Sequence, residues 1–199
     1  MSNAKFRTAL LIDGGALRVH ARITEKPYSG DFVEDFAYKC IDEAREHLLR
    51  ILYYDAPLFD GDVTRPISRT TQTFTGGTGF LDDLATRDRF AVRRGSLSFR
   101  GWKPNRWDWA EGEAPEDEDF DPIFEQKGVD MRIGLDIASF AERRTIDRLL
   151  LISSDNDMVA ALKYARRAGI EVGVVQLPEP SWPLSRLLQA HSDFVREIG

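Results

Sequence analysis

Four aspartates carry the chemistry that this sequence can do: Asp13, Asp130, Asp155 and Asp157. Asp13 closes the apolar run Thr8–Ile12, and Asp155 follows a second such run, Leu149–Ile152, after Ser153-Ser154. Short apolar runs that stop at an acid and turn residues read as strands buried on both faces of a parallel sheet. The carboxyl ends of such strands form the edge at which open α/β sheets bind their ligands. A dry core does not hold unpaired charge, so acids arriving there independently point to a shared cation. Clustered carboxylates also repel one another, which favours a cation between them. Mg2+ or Mn2+ is the matching ion, because hard cations take oxygen ligands and keep several waters. Phosphodiester hydrolysis needs an activated water and an offset for charge on phosphate oxygens, and such an ion supplies both. Asp13, Asp130 and Asp155 are the candidate metal ligands. Asp157 binds metal, orients water or caps the helix that follows it. Plainer roles compete: Asp130 as a first-turn acid favouring the helix dipole, and Asp13 and Asp155 as solvated turn residues.

The elements that must position these acids alternate between strand and helix. Thr8–Ile12 predicts a strand. Asp31 predicts the cap of a helix from Phe32 to about Leu49, with Phe32, Phe36, Cys40, Ala44 and Leu48 near helical spacing. Ile51–Tyr54 predicts a strand closed by Asp55-Ala56-Pro57, and Asp60–Thr78 a long polar loop with Gly76-Gly77 as a flexible point. A short helix follows over Gly79–Thr86, then a strand or ribbon over Phe90–Lys103 and an irregular acidic stretch over Pro104–Pro122. Val129–Ala141 predicts a helix. The Leu149 strand, a helix over Asp157–Ala168 stopped by Gly169, the strand Ile170–Val175 and a short helix after Pro183 complete the order. This alternation predicts the α/β class, a three-layer α/β/α sandwich around a mainly parallel sheet.

A chain of 199 residues fits one such domain with room for an insertion, and 42% apolar residues suffice for a core. No apolar stretch approaches the roughly 20 residues that cross a bilayer, and no signal segment opens the chain, so it reads as cytoplasmic with no membrane partner. The single Cys40 reads as a small buried hydrophobe. Of the three histidines, His20 follows Asp13 closely enough to approach the cleft, although a surface role suits it better; none shows ligand spacing. Asp136, six residues beyond Asp130, reads as structural and as a partner for Arg132.

The middle of the chain is divided by charge. Arg87, Arg89, Arg93, Arg94, Arg100, Lys103 and Arg106 face a single acid, Asp88, and interleave with Phe90, Phe99 and Trp102. Cations for phosphates and flat rings for bases suit single-stranded RNA, and the alternative is a solvated ribbon whose rings pack inward. The net charge of −6 argues against broad binding to duplex. A basic ribbon at about 87–106 thus precedes an acidic loop insertion at about 107–123, in which Asp108, Glu111, Glu113, Glu116, Asp117, Glu118, Asp119 and Asp121 meet no Lys or Arg. Such a loop is a mobile surface insertion, or it folds over the arginines and competes with phosphate.

Three motifs carry a resemblance: Leu11-Ile12-Asp13-Gly14-Gly15, Lys127-Gly128-Val129-Asp130 continuing to Asp136, and Ser153-Ser154-Asp155-Asn156-Asp157. In this order they resemble the NYN domain, a family of the PIN-like nuclease group that includes LabA-like bacterial proteins. The resemblance runs from about Thr8 to Val195 and implies one PIN-like, Rossmann-like domain over residues 1–199. It implies a metal-dependent ribonuclease with an acidic cleft, since members of known activity are of that kind. It leaves a homo-oligomer open and names no protein partner. One departure bears on activity: Ala16 stands where the family's first motif usually has Asn. That loss implies an alternative, a catalytically weak or inactive module that binds RNA or a protein in regulation. An aspartyl-phosphatase reading needs a second acid two residues after Asp13, where Gly15 stands. A dinucleotide site needs spaced glycines that Asp13-Gly14-Gly15 lacks.

Overall fold

The computed structural model describes residues 4–110, 112–179, 181 and 183–198. Its chain order is β1 (Phe6–Asp13), α1 (Gly14–Ile23), α2 (Gly30–Lys39), β2 (Glu46–Asp55), β3 (Gly61–Thr64), β4 (Thr71–Phe74), α3 (Gly79–Thr86) and β5 (Phe90–Arg94). There follow β6 (Ser96–Pro104), β7 (Phe120–Lys127), α4 (Val129–Arg143), β8 (Arg148–Ile152), α5 (Val159–Arg167), β9 (Glu171–Gln176), α6 (Arg186–Ala190) and β10 (Phe194–Glu197).

The two apolar runs that end in aspartate lie side by side. β1 and β8 pair in parallel at the centre of a six-stranded sheet of order β10-β9-β8-β1-β2-β5. Alternate residues of these strands face opposite layers, as strand geometry requires. Ala9, Leu11, Leu149 and Leu151 pack against Ile133 and Ile137 of α4 and Leu162 of α5. Leu10, Ile12, Leu150 and Ile152 pack against Leu17 of α1, Val33 and Phe36 of α2, and Leu84 of α3. The molecule is therefore the expected three-layer α/β/α sandwich, with every ladder of the main sheet parallel.

Several local expectations are corrected. The helix expected over Phe32–Leu49 is capped by Ser29, whose side chain accepts from the Phe32 N–H, and ends at Lys39. Ala44 precedes a strand and Leu48 lies within it. Helix α1 was not foreseen, because Gly14-Gly15 reads as a turn; Asp13 caps it. The loop expected over Asp60–Thr78 contains the hairpin β3–β4. The basic ribbon is split between two sheets, since β5 joins the main sheet and β6 pairs antiparallel with β7. The acidic insertion is irregular only in part, for Phe120–Lys127 is strand. Of its acids, Glu111 lies outside the described residues. Hairpins β3–β4 and β6–β7 share an aromatic cluster of Phe59, Phe74, Phe99 and Phe124, and the Trp102 indole donates to the Thr64 carbonyl at 2.8 Å. Arg106 closes this arm against Glu113 and Asp119, and its guanidinium holds the Asp119 carboxyl down at about 2.

The amino edge of the sheet is locked by charge. The Glu46 side chain is 0% exposed and accepts from Arg148 at 2.6 Å and Arg196 at 2.7 Å. Arg148 also reaches Glu171 at 2.5 Å and lies over the Phe6 ring. Burial alone would raise the Glu46 carboxyl, yet the bonds from Arg196 and Arg148 hold it below its usual range. Its stabilisation is therefore complete above the ordinary glutamate range and is lost as falling pH protonates it. Glu46→Ala strands two guanidinium groups and is expected to cost about 3–5 kcal/mol in urea unfolding at pH 7. A loss under about 1 kcal/mol would contradict this assignment.

Candidate metal centre at the carboxyl edge of the sheet

Because β1 and β8 are neighbours in register, Ile12 opposite Ile152, their ends bring Asp13 beside Ser153. The Ser153 hydroxyl donates to Asp13 Oδ2 at 3.2 Å and accepts the Asp155 N–H at 3.1 Å. Two hydrogen bonds thus link the first and third candidate ligands through one serine. Asp13 Oδ1 accepts the Gly15 N–H at 3.0 Å, and the Ala16 N–H also favours its ionised form. Asp155 accepts the Asp157 N–H at 2.8 Å, capping the short turn of Asn156–Met158 that opens into α5. Asp157 lies in that turn, exposed, rather than in α5 itself.

Asp130 stands in the first turn of α4, after Gly128 in the left-handed region. It is exposed, yet partial desolvation raises its carboxyl, and the negative charges of Asp155 and Asp157 raise it further. Burial also raises the Asp13 carboxyl, against the pull of its N–H donors, and Asp130 adds to the rise. The four aspartates therefore share one electrostatic region. Among the described residues, none of the four has a Lys or Arg partner, while other acids nearby do. Asp55, at the end of β2 next to β1, is buried and takes Arg18, the Tyr53 hydroxyl at 3.0 Å and the Ala56 N–H at 2.8 Å. Sequence reasoning passed over Asp55 as a strand end, although the apolar run before it is of the same kind as that before Asp13.

Asp136 pairs with Arg93 at 2.9 Å and accepts from the Tyr54 hydroxyl at 2.9 Å, not from Arg132. This clamp ties α4 to β2 and β5 and so fixes the helix that presents Asp130. Asn156 accepts from Ser185 at 2.6 Å, so its amide oxygen serves the contact with α6 rather than the position vacated at Ala16. His20 is buried, sharing a 2.5 Å hydrogen bond with Ser181 and packing on Phe36, rather than lying at the surface or in the cleft.

The basic ribbon does not present a continuous row of free cations. Arg87 holds Asp31, Glu34 and Asp83; Arg89 donates to the Leu48 carbonyl; Arg94 pairs with Asp82 at 2.5 Å; Arg100 pairs with Glu125. Arg93 and Arg106 are engaged as described above, and Lys103 is exposed. Phe90 is buried in the core, and Phe99 and Trp102 pack against each other in the arm. Of the acidic stretch, Glu113 and Asp119 hold Arg106 at the end of the ribbon, while Asp117 and Glu118 hold Arg65, which lies outside it.

Residues 110–196 match the NYN domain family. The family is related to PIN-like nucleases and is the one that the three motifs resemble. The match takes in Asp130, Asp155 and Asp157; Asp13 lies outside it. No curated protein matches the chain. A crystal structure from Vibrio parahaemolyticus RIMD 2210633, of a protein described as of unknown function, aligns over 100% of this chain and 97% of its own, with a TM-score of 0.53 and 15% identity. That likeness supports the fold alone. Among the described residues, no helix is long and apolar enough to cross a membrane.

A carboxyl raised on folding opposes folding when ionised. Its relative contribution is most favourable at low pH and is lost as pH rises through the folded value. Asp13→Asn is therefore expected to raise the urea midpoint at pH 7, with the gain shrinking as pH falls through the carboxylate range. A lower midpoint at pH 7 would show that the Asp13 charge stabilises the fold.

Proposed function

We propose that this chain, whose residues 110–196 match the NYN domain family, is a Mg2+- or Mn2+-dependent ribonuclease that hydrolyses phosphodiester bonds in single-stranded RNA. One observation carries the reading: among the described residues Asp13, Asp130, Asp155 and Asp157 have no cationic partner, and at the ends of β1 and β8 the Ser153 hydroxyl links the Asp13 carboxylate to the Asp155 backbone N–H. Among the described residues, no group of three ligating side chains encloses an ion site. Mg2+ keeps several waters and is commonly held by one or two carboxylates. Asp13 and Asp155 would hold it, with Asp130 assisting. Bound there, it supplies a Lewis acid for phosphate oxygens and an acidified water.

The residues of the chain do the rest. Ser153 fixes the rotamer of Asp13 from one side while the Gly15 N–H fixes it from the other. Asp157 is the exposed carboxylate suited to take a proton from the attacking water. Water's oxygen bonds to phosphorus as the bond to the leaving ribose oxygen breaks, and a proton ends on that oxygen. Lys103 and the half-exposed Arg94 and Arg100 are the proposed backbone contacts, each arginine exchanging its carboxylate for a phosphate. Arg87, held by three acids, is withdrawn from that role, as are Arg93, kept on Asp136, and Arg89 and Arg106, held within the fold and the arm.

Ala16 in place of the usual Asn favours a second reading, a binding module with little catalysis. Cleavage of a labelled single-stranded RNA separates the two. The expected outcome is activity that needs divalent metal, is abolished by EDTA and falls about tenfold or more in Asp13→Asn and Asp155→Asn. Undiminished cleavage in both variants would overturn the assignment, and absence of cleavage with intact RNA binding would favour the module.

A further inference from the structure

A cavity of 380 Å³ opens beside the aspartate edge, on the α1 and α3 side of the sheet, lined by Arg18, Tyr28, Pro57, Leu58, Gly77 and Phe80 among others. Its volume lies within the roughly 300–1,000 Å³ of small-ligand sites. We propose that it holds one unpaired nucleobase of the RNA strand, the base next to the phosphate at the aspartates. The proposal deepens the ribonuclease reading and rests on it for the identity of the strand.

The walls suit a flat, uncharged ring. Tyr28 and Phe80 stand with ring centroids 5.3 Å apart, tilted by 39°. The Tyr28 ring is held in place, because its hydroxyl hydrogen-bonds Tyr53 at 2.6 Å and lies 3.3 Å from the Gly14 carbonyl. Gly14 directly follows Asp13, so one wall of the cavity hangs from the residue beside the first candidate ligand. Packing leaves no slack there, since a Cβ on Gly14 would come within 2.4 Å of the Tyr53 hydroxyl and 2.7 Å of Asp55.

Charge then selects the ligand. The Arg18 guanidinium lies over the Tyr28 ring at 5.3 Å and spends Nη2 on Asp55, whose side chain is 1% exposed. The buried carboxylate balances the cation, so the cavity does not favour a bare phosphate or an acidic peptide. The Arg18 side chain is 39% exposed, and its other guanidinium N–H groups have no partner among the described residues, which leaves donors for the carbonyl and ring-nitrogen acceptors of a base. Stacking on fixed rings beside such a donor is how single-stranded nucleic acid is held without a fixed sequence. At the mouth, Leu58 is 67% exposed next to Gly77 and Gly79, which have open space around them, so a strand can enter without displacing a side chain.

The test is fluorescence anisotropy of a 5′-labelled RNA decamer of mixed sequence, in EDTA so that cleavage does not intrude. Leu58→Asp sets a charge at an exposed position of the mouth and leaves the core intact; Phe80→Ala removes a stacking face and Phe80→Trp restores one. Binding is expected to weaken about tenfold or more in Leu58→Asp and Phe80→Ala, and to return to within about threefold of the parent in Phe80→Trp. One abasic position in the decamer should cost the parent chain a similar factor and cost Leu58→Asp nothing further. Equal affinity in Leu58→Asp, a flat response to the abasic position, or no binding of the decamer by the parent chain would each overturn the proposal. The two readings fail separately. Metal-dependent cleavage with unchanged affinity in the cavity variants would sink the base site alone. Lost affinity in those variants, in a chain that cleaves no RNA, would sustain the base site and remove the nuclease.

Discussion

Uncompensated negative charge at the junction of β1 and β8 is the constraint on which the rest of this structure turns. Elsewhere the fold settles its acids against arginines: Glu46 with Arg148 and Arg196, Asp55 with Arg18, Asp119 with Arg106, and Asp136 with Arg93. The Asp13 and Asp155 carboxylates accept backbone or serine hydrogen bonds, and none of Asp13, Asp130, Asp155 and Asp157 has a cation partner among the described residues. Desolvation and mutual repulsion raise Asp13 and Asp130, so the native state carries a cost there that an added cation would remove. Sites that keep such a cost are typically those where function competes with stability.

The surrounding elements follow from holding that junction in place. The parallel pairing of β1 with β8 brings Asp13 beside Ser153, and the tight turn into α1 needs Gly14, which faces Tyr53 and Asp55 too closely to carry a side chain. Arg93 and Tyr54 grip Asp136 in α4 and thereby fix the helix whose first turn bears Asp130. The amino edge is closed by the Glu46 cluster, leaving the opposite edge for ligands, as open α/β sheets do. The aromatic arm of β3–β4 and β6–β7 grows from the segments that follow β2 and β5 at that same edge.

The sandwich and the aspartates were legible because each rests on local signals. Apolar runs announced β1 and β8, and the acid at the end of each marked the edge. What stayed hidden depends on contacts distant in sequence. Phe32, Phe36 and Cys40 do share a helical face, but the spacing continued by chance through Ala44 and Leu48; Glu46 and Arg50 disguised β2, because a charged residue buried by a remote arginine does not look like strand interior. The pairing of β6 with β7 turned an expected acidic loop into sheet. The arginines of 87–106 read as free because their acids, Asp31, Glu34, Asp82, Glu125 and Asp136, lie outside that window. Asp55 was legible by the same signal as Asp13, yet only the fold shows that Arg18 occupies it.

The most direct test of the central claim is Mn2+ uptake measured by electron paramagnetic resonance on the whole chain, compared with Asp13→Asn and Asp155→Asn. The parent chain is expected to bind the ion saturably and both variants to lose that binding while remaining folded. Equal uptake by all three, or none by the parent chain, would contradict it.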